Sequence, residues 1–353
     1  MQKAKSILSM TLVLVMILAL AACGGTTESS APESTAPEST APESEAPEAS
    51  GWVPTQQVEM ILPFAAGGSS DVMARAMEAV WSKYCDQPLV LTNMPGGGGV
   101  TGAMAVASAE PDGYTIECGF GSGNDTAMIY LQELEYDPLA LLRPVARISV
   151  HNVAIVAPAD SEFNSMADVV AWSEANPDTP VTASVSTANG TVDLTMQAIR
   201  YYTGINMSIV PHDGGSSAVT DLLSGSFMIG GGHPSEVGPY VESGQLKILG
   251  IASEERDSSL PDVPTLKEQG IDFACEGSIK GIAVPVDTPD EVVAYYEELF
   301  RQITEDPDFQ ASMVDLLQPV MYLNAEDFTQ YYTDVCAESK QMIEDLGLAY
   351  YQQ

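Results

Sequence analysis

The residues with most to offer a ligand are Gly67, Gly68, Ser69, Ser70 and Asp71, which close the stretch Met60-Ile-Leu-Pro-Phe-Ala-Ala-Gly-Gly-Ser-Ser-Asp71. A glycine pair lets a ligand approach bare backbone. The unpaired N–H groups that open a helix, together with the helix dipole, favour a negative group such as a carboxylate. The flanking residues supply that geometry. The apolar run 58–62 reads as a buried strand. Val72, Ala76 and Val80 then fall on one line, with Met73, Met77 and Trp81 beside it, which is helical spacing. Ser69, Ser70 or Asp71 can serve as the N-cap. A plain strand–turn–helix connection has the same pattern, so its weight depends on the rest of the chain.

A second loop, Gly119-Phe-Gly-Ser-Gly-Asn124, follows the third expected strand and offers Ser122 and Asn124 to the same ligand. In a doubly wound sheet such loops share the carboxyl edge, where ligands bind. Gly97-Gly-Gly-Val-Thr-Gly102 fits the spacing of a dinucleotide fingerprint, with Glu117 further on. It belongs to the second strand–loop–helix unit rather than the first, and an exported chain is removed from nicotinamide pools, so no cofactor is expected. Catalytic motifs are missing: there is no Gly-x-Ser-x-Gly elbow, no phosphate-binding Gly-x-x-x-x-Gly-Lys-Ser/Thr and no His-Glu-x-x-His. No catalytic residue is assigned. His151, His212 and His233 stand far apart without metal-ligand spacing, so no metal site is expected. His212 and His233 each follow an expected strand in a glycine-rich loop, where a polar contact to a ligand is reasonable.

The N-terminus bears on the compartment. Lys3 and Lys5 precede an apolar run closed by Leu20-Ala-Ala-Cys23, a positive n-region, an h-region and small residues before a cysteine. Residues 1–22 therefore read as a signal peptide. Leu-Ala-Ala-Cys before glycine resembles a bacterial lipobox, with Cys23 lipidated and anchoring the chain outside the cell membrane. Residues 23–51, rich in Ala, Pro, Glu, Ser and Thr, have little to bury and are expected to form a disordered stalk.

About 300 residues follow, more than one core usually supports, so two lobes are expected. The chain has 49 acidic and 13 basic residues and a net charge of −36. Few of the acids lie in the stalk, and so negative a body argues against nucleic-acid binding. Cys85, Cys118, Cys275 and Cys336 allow three pairings or free thiols, and the sequence does not choose. Strand and helix alternate, the mark of a parallel α/β sheet. Strands are expected at 58–62, 88–93, 114–118, 145–148, 152–157, 181–185, 207–210, 227–229, 246–251 and 320–323. Helices are expected at 99–110, 165–175, 190–202, 216–224 and 235–243, and over most of the tail from residue 288.

Several motifs occur in one order: Pro63-Phe-Ala-Ala-Gly-Gly-Ser-Ser-Asp71, Asn93-Met-Pro-Gly-Gly-Gly-Gly99, Pro111-Asp-Gly-Tyr-Thr115, Tyr136-Asp-Pro138, Thr220-Asp-Leu-Leu223, Gly244-Gln-Leu-Lys247 and Leu260-Pro-Asp-Val-Pro-Thr265. From about residue 55 to 350 the chain resembles the extracytoplasmic solute receptors of tripartite tricarboxylate transporters, the Bug family. The resemblance implies an α/β, type II periplasmic-binding fold. It would have two lobes, 52–153 plus 277–353 and 154–276, each with a central sheet flanked by helices and hinged at two crossovers. It also implies a monomer that captures a small carboxylate by closure and delivers it to membrane permease subunits. An exported enzyme or a sensory protein on the same scaffold is the alternative. By position the resemblance assigns Phe64, Ala65, Gly67, Gly68, Ser69, Ser70 and Asp71, joined by Ser122 and Asn124, and from lobe two Ser184, Ser186 and Thr187. Departures fall on the distal half of the ligand. Pro211-His-Asp-Gly214 replaces the usual Pro-Tyr-Lys-Gly, Ser226-Phe-Met228 replaces Gln-Val-Asp, and Met94 replaces an arginine. If Asp213 lines the pocket, it favours a ligand with an amine or excludes a second carboxylate.

Overall fold

Strand β1 (Val58–Leu62) forms where the apolar run places it and sits between two parallel neighbours, β2 (Leu89–Asn93) and β3 (Thr115–Phe120). The computed structural model describes residues 51–122, 130–131, 137–275, 277–349 and 352. The signal peptide, Cys23 and Asn124 lie outside the described residues, as does the stalk up to residue 50. Residues 49–353 form one unit by internal contacts.

The first sheet has the order β11-β4-β10-β3-β1-β2, with β4 (Leu142–His151), β10 (Ser278–Pro285) and β11 (Val320–Leu323). The second has the order β7-β6-β8-β5-β9, with β5 (Ala154–Pro158), β6 (Val181–Val185), β7 (Met207–Pro211), β8 (Ile229–Gly232) and β9 (Leu246–Ile251). Each holds a parallel trio in the same arrangement, the first strand flanked by the second and third. Beyond the third strand each sheet turns antiparallel, through β10 in one and β5 in the other. The all-parallel expectation therefore holds only for the trios. The chain passes from β4 to β5 through residues 152–153, and returns to the first sheet just before β10.

Strand β10 has no counterpart in the expected strands, although all eight of its residues are buried. Lys280 and Gly281 interrupt its apolar run, and its place is fixed by pairing with β3 and β4, partners far away in sequence.

The helices are α1 (Ser69–Trp81), α2 (Val100–Ala107), α3 (Pro138–Leu141), α4 (Met166–Ala175), α5 (Thr191–Thr203), α6 (Gly215–Leu223), α7 (Pro234–Glu242), α8 (Asp290–Glu305), α9 (Pro307–Asp315) and α10 (Ala325–Asp345). On one face of the first sheet, Met73, Met77 and Trp81 of α1 share a core with Tyr296 and Phe300 of α8 and Phe309 of α9. On the other, Phe328 and Tyr332 of α10 close on Phe120, with ring centroids 5.9 and 4.6 Å away. The second sheet has its own cores on two faces. The far end of α10 leaves the first sheet, and Met342 with Leu346 packs against the second core. The four described cysteines are free thiols, Cys85 and Cys118 buried and Cys275 and Cys336 half-buried. Burial pushes the Cys118 thiol up to about 12.

Candidate functional site

Both parallel trios point their carboxyl ends at a cleft of about 600 Å³. The loops after β1, β2 and β3 bring Pro63–Ser70, Pro95–Gly99 and Ser122, with Gly67 alone of residues 63–70 standing back from the lining. The loops after β6, β7 and β8 bring Ser186, Thr187, Gly190–Val192, Asp213–Ser217 and His233. This is where open α/β sheets bind ligands, because helix N-termini gather at the strands' carboxyl edge.

A glycine start distinguishes four helices from the rest. α1, α2, α5 and α6 begin on Gly68, Gly99, Gly190 and Gly214, all cavity-lining and none capped by its own side chain. Away from the cleft, side chains cap four helices, Asp137 for α3, Ser165 for α4, Asp306 for α9 and Asn324 for α10, while α8 starts on Pro289 without one. An uncapped N-terminus leaves N–H donors and a partial positive charge for an anion, although at α2 the N–H groups of Val100 and Thr101 already donate to Gly97 O and Gly96 O.

Two of these starts are built alike. At α1, Gly67 sits at φ 82° and donates its N–H to Asp71 Oδ2 at 2.8 Å. At α5, Asn189 sits at φ 62° and donates to Asp193 Oδ2 at 2.7 Å. In each, the aspartate ties back a residue in the left-handed region, so the glycine between them presents bare backbone to the cleft. Asp71 is further held by Arg75 (Nε and Nη2, both 3.0 Å) and Asn93 Nδ2 (3.1 Å). Burial alone would raise the Asp71 carboxyl, but Arg75, the Gly67 N–H and Asn93 outweigh it and hold it below the usual range. The Asp193 carboxyl is raised by burial, with the Asn189 N–H opposing. Gly190-Thr-Val-Asp193 echoes Gly68-Ser-Ser-Asp71 in the sequence, a signal that the motif reading passed over.

Of the residues singled out from the sequence, the cleft gathers Phe64, Ala65, Gly68, Ser69, Ser70, Ser122, Ser186, Thr187 and His233. Gly67 and Asp71 stand behind the lining and shape its loop. Ser184 is buried on β6 and donates its hydroxyl to Ala218 O at 3.2 Å. His212 is turned away, its ring nitrogens 3.1 Å from Val185 O and 3.0 Å from Asp221 Oδ2. Asn124 is outside the described residues.

The cleft also gathers Ser278, Lys280, Gly190–Val192, Gly214–Ser217 and Glu236, none of them singled out from the sequence. Lys280 is 2 % exposed, and its Nζ donates to Ser278 Oγ at 2.9 Å. The walls also touch. Ser69 N donates to Glu236 Oε1 at 3.2 Å, and Thr191 Oγ1 donates to Ser122 O at 3.1 Å. Behind His233, the rings of His151 and His233 stack at 5.0 Å and 17°. His233 Nδ1 lies 3.0 Å from Asn152 O, and His151 Nε2 lies 3.2 Å from Leu317 O. Burial, reinforced by His233 and Lys280, holds His151 well below the usual histidine range. Burial also lowers His233, though Glu236 pulls it back. Both rings are therefore neutral near pH 7. No cluster of three or more metal-ligating side chains occurs among the described residues. No described helix is long and apolar enough to cross a membrane.

The chain is similar to known proteins in sequence and in fold. The model of the tripartite tricarboxylate transporter family receptor, TctC, matches residues 73–348. A protein of Cupriavidus necator, named "UPF0065 protein in gbd 5'region", is 30% identical over 301 residues, which cover 84% of this chain and 89% of that one. The structure of the periplasmic binding protein BugD superposes with a TM-score of 0.77 at 25% identity, over 84% of this chain and 99% of BugD. MatC from Rhodopseudomonas palustris, solved with bound malate, has the same fold, with a TM-score of 0.75 at 24% identity over 82% of this chain and 99% of MatC.

Proposed function

The chain belongs to the tripartite tricarboxylate transporter receptor family, and from that premise we propose that it is a lipid-anchored extracytoplasmic receptor that captures one small carboxylate and delivers it to membrane permease subunits. The observation that carries the reading is the set of glycine-started helices, α1, α5 and α6, whose N-termini face one cleft without a cap from their own side chains. Such a cleft suits an anion held by backbone donors and small hydroxyls. Gly68, Ser69 and Ser70 would take it from one side, and Ser186, Thr187, Gly190 and Thr191 from the other. The malate held by MatC supports a carboxylate as the class of ligand.

In this reading residues 52–153 with 277–353 form one lobe, and 154–276 the other. The two short passages between the sheets are the hinge, and binding energy stabilises the closed arrangement. Cys23 carries the lipid, residues 23–51 are the stalk, and the protein works as a monomer without cofactor or catalytic residue.

The test is a thermal-shift and calorimetric screen against mono-, di- and tricarboxylates, aromatic acids and amino acids. A ligand that binds only the folded chain raises Tm according to its excess over Kd. Replacing both Gly67 and Gly68 by valine is expected to abolish the shift while the far-ultraviolet dichroism is retained. Unchanged affinity in that variant would remove the helix-terminus site.

A further inference from the structure

Histidine aside, the ionisable side chains lining the described cleft are two acids, Asp213 before α6 and Glu236 in the first turn of α7, and one base, Lys280 on β10. The acids outnumber the base in a site that the receptor reading assigns to an anion. Glu236 does not swing freely. Its Oε2 accepts the N–H of His233 at 3.0 Å, and its Oε1 accepts the N–H of Ser69 at 3.2 Å, across the cleft. Its carboxylate lies over the backbone of Gly215, where a Cβ would fall 2.4 Å from both Cδ and Oε1. A role as the third residue of α7, closing back on His233, accounts for Oε2. It does not account for Oε1 on the other wall, nor for the bare backbone beneath.

The α1 terminus thus already holds a fixed negative charge beside the donors left for a ligand. A ligand carboxylate placed there lies against a like charge, which disfavours it in a partly desolvated site. That opposition is relieved when the ligand brings its own cation next to its carboxylate. We propose that the cleft selects zwitterions: an amino carboxylate whose ammonium rests on Glu236, with Asp213 nearby, while its carboxylate takes the remaining helix N–H donors and Lys280. His233 adds no positive charge to compete for Glu236, because its buried ring is neutral. The inference rests on the receptor reading and narrows its substrate class.

The experiment titrates the protein calorimetrically with matched acids that differ only in the amine: alanine and propionate, aspartate and succinate, glutamate and glutarate, phenylalanine and 3-phenylpropanoate. In the pair that fits, the amine-bearing member is expected to bind tenfold or more tightly, the scale of one charge-assisted hydrogen bond. E236Q is expected to weaken that member about tenfold and to leave its partner unchanged or tighter, so the preference collapses. G215A makes the same test without altering any charge. Its methyl group evicts the carboxylate, and alanine suits a helix start, so retained dichroism and Tm show that the fold survives. A deaminated acid that binds as tightly as its amine partner, or a preference intact in both variants, overturns the inference and leaves the receptor reading standing. Failure of every acid to bind overturns both.

Discussion

Acidification should loosen this protein near pH 6 through its two stacked histidines. His151 has a folded pKa well below the ordinary 6.5, because its ring is buried beside His233 and Lys280. Its Nδ1 is buried without a hydrogen-bond partner, so a proton placed there would find no acceptor. His233 shares the burial, with Glu236 partly restoring its basicity. A group whose pKa is lower in the folded state binds its proton in the unfolded chain first. The stability it supports is complete above the unfolded pKa and is lost as pH falls below it. Integrated from about pH 7.5 to about pH 5.5, a histidine that stays neutral in the fold and titrates normally when unfolded costs about 1.4 kcal/mol. The ceiling for two is about 2.7 kcal/mol, with His233 adding less than His151 because of Glu236. Urea unfolding at the two pH values measures the loss directly. In His151→Gln the same pH step should cost about 1.4 kcal/mol less than in the wild type, whatever the substitution does to absolute stability. A wild type equally stable at both pH values, or a variant with the wild-type pH slope, would refute the argument.

Asp71→Asn should lower unfolding free energy by about 2 kcal/mol, since a buried charged acceptor that serves Gly67, Arg75 and Asn93 is lost. It should also weaken ligand binding by loosening the loop ahead of α1, and unchanged affinity at reduced stability would confine Asp71 to the fold. Gly281→Ala places a methyl 2.4 Å from Phe328 Cζ and 2.8 Å from the backbone oxygen of Phe120. Overpacking of this kind costs about 2–3 kcal/mol, and a denaturation midpoint equal to wild type would contradict the packing of β10 against α10. Cys23→Ala should move the protein from the membrane fraction to the soluble one; continued detergent-dependent anchoring would count against lipidation.

Much of the first sheet's trio was legible because its signals are local. An apolar run of five, a glycine turn and a 3.6-residue repeat locate β1 and α1 without knowledge of anything else. The glycine loop could be read as an anion site for the same reason, since backbone donors at a helix start need only the helix. The other wall was less legible. Ser186 and Thr187 line the cleft, while Ser184, assigned with them by position, donates to Ala218 O, and His212, chosen for its glycine-rich loop, lies against Val185 O and Asp221. A loop's position on the carboxyl edge is a topological matter, whereas the direction of each side chain depends on its partners.

The sequence by itself determined the alternation of strands and helices, the surplus of negative charge, the lack of catalytic motifs and the glycine-led start of α1. Each of these is carried by neighbours within a few residues or by composition. Only the tertiary structure decided that β10 completes the first sheet, that Lys280 lies buried in the cleft, and that Glu236 reaches Ser69. A lysine inside an apolar run reads as a break until two flanking strands are present to pair its backbone. A glutamate at the third position of a helix reads as its cap until another helix terminus is brought within hydrogen-bonding distance. Such contacts join residues far apart in the chain, and only packing of the two sheets brings them together.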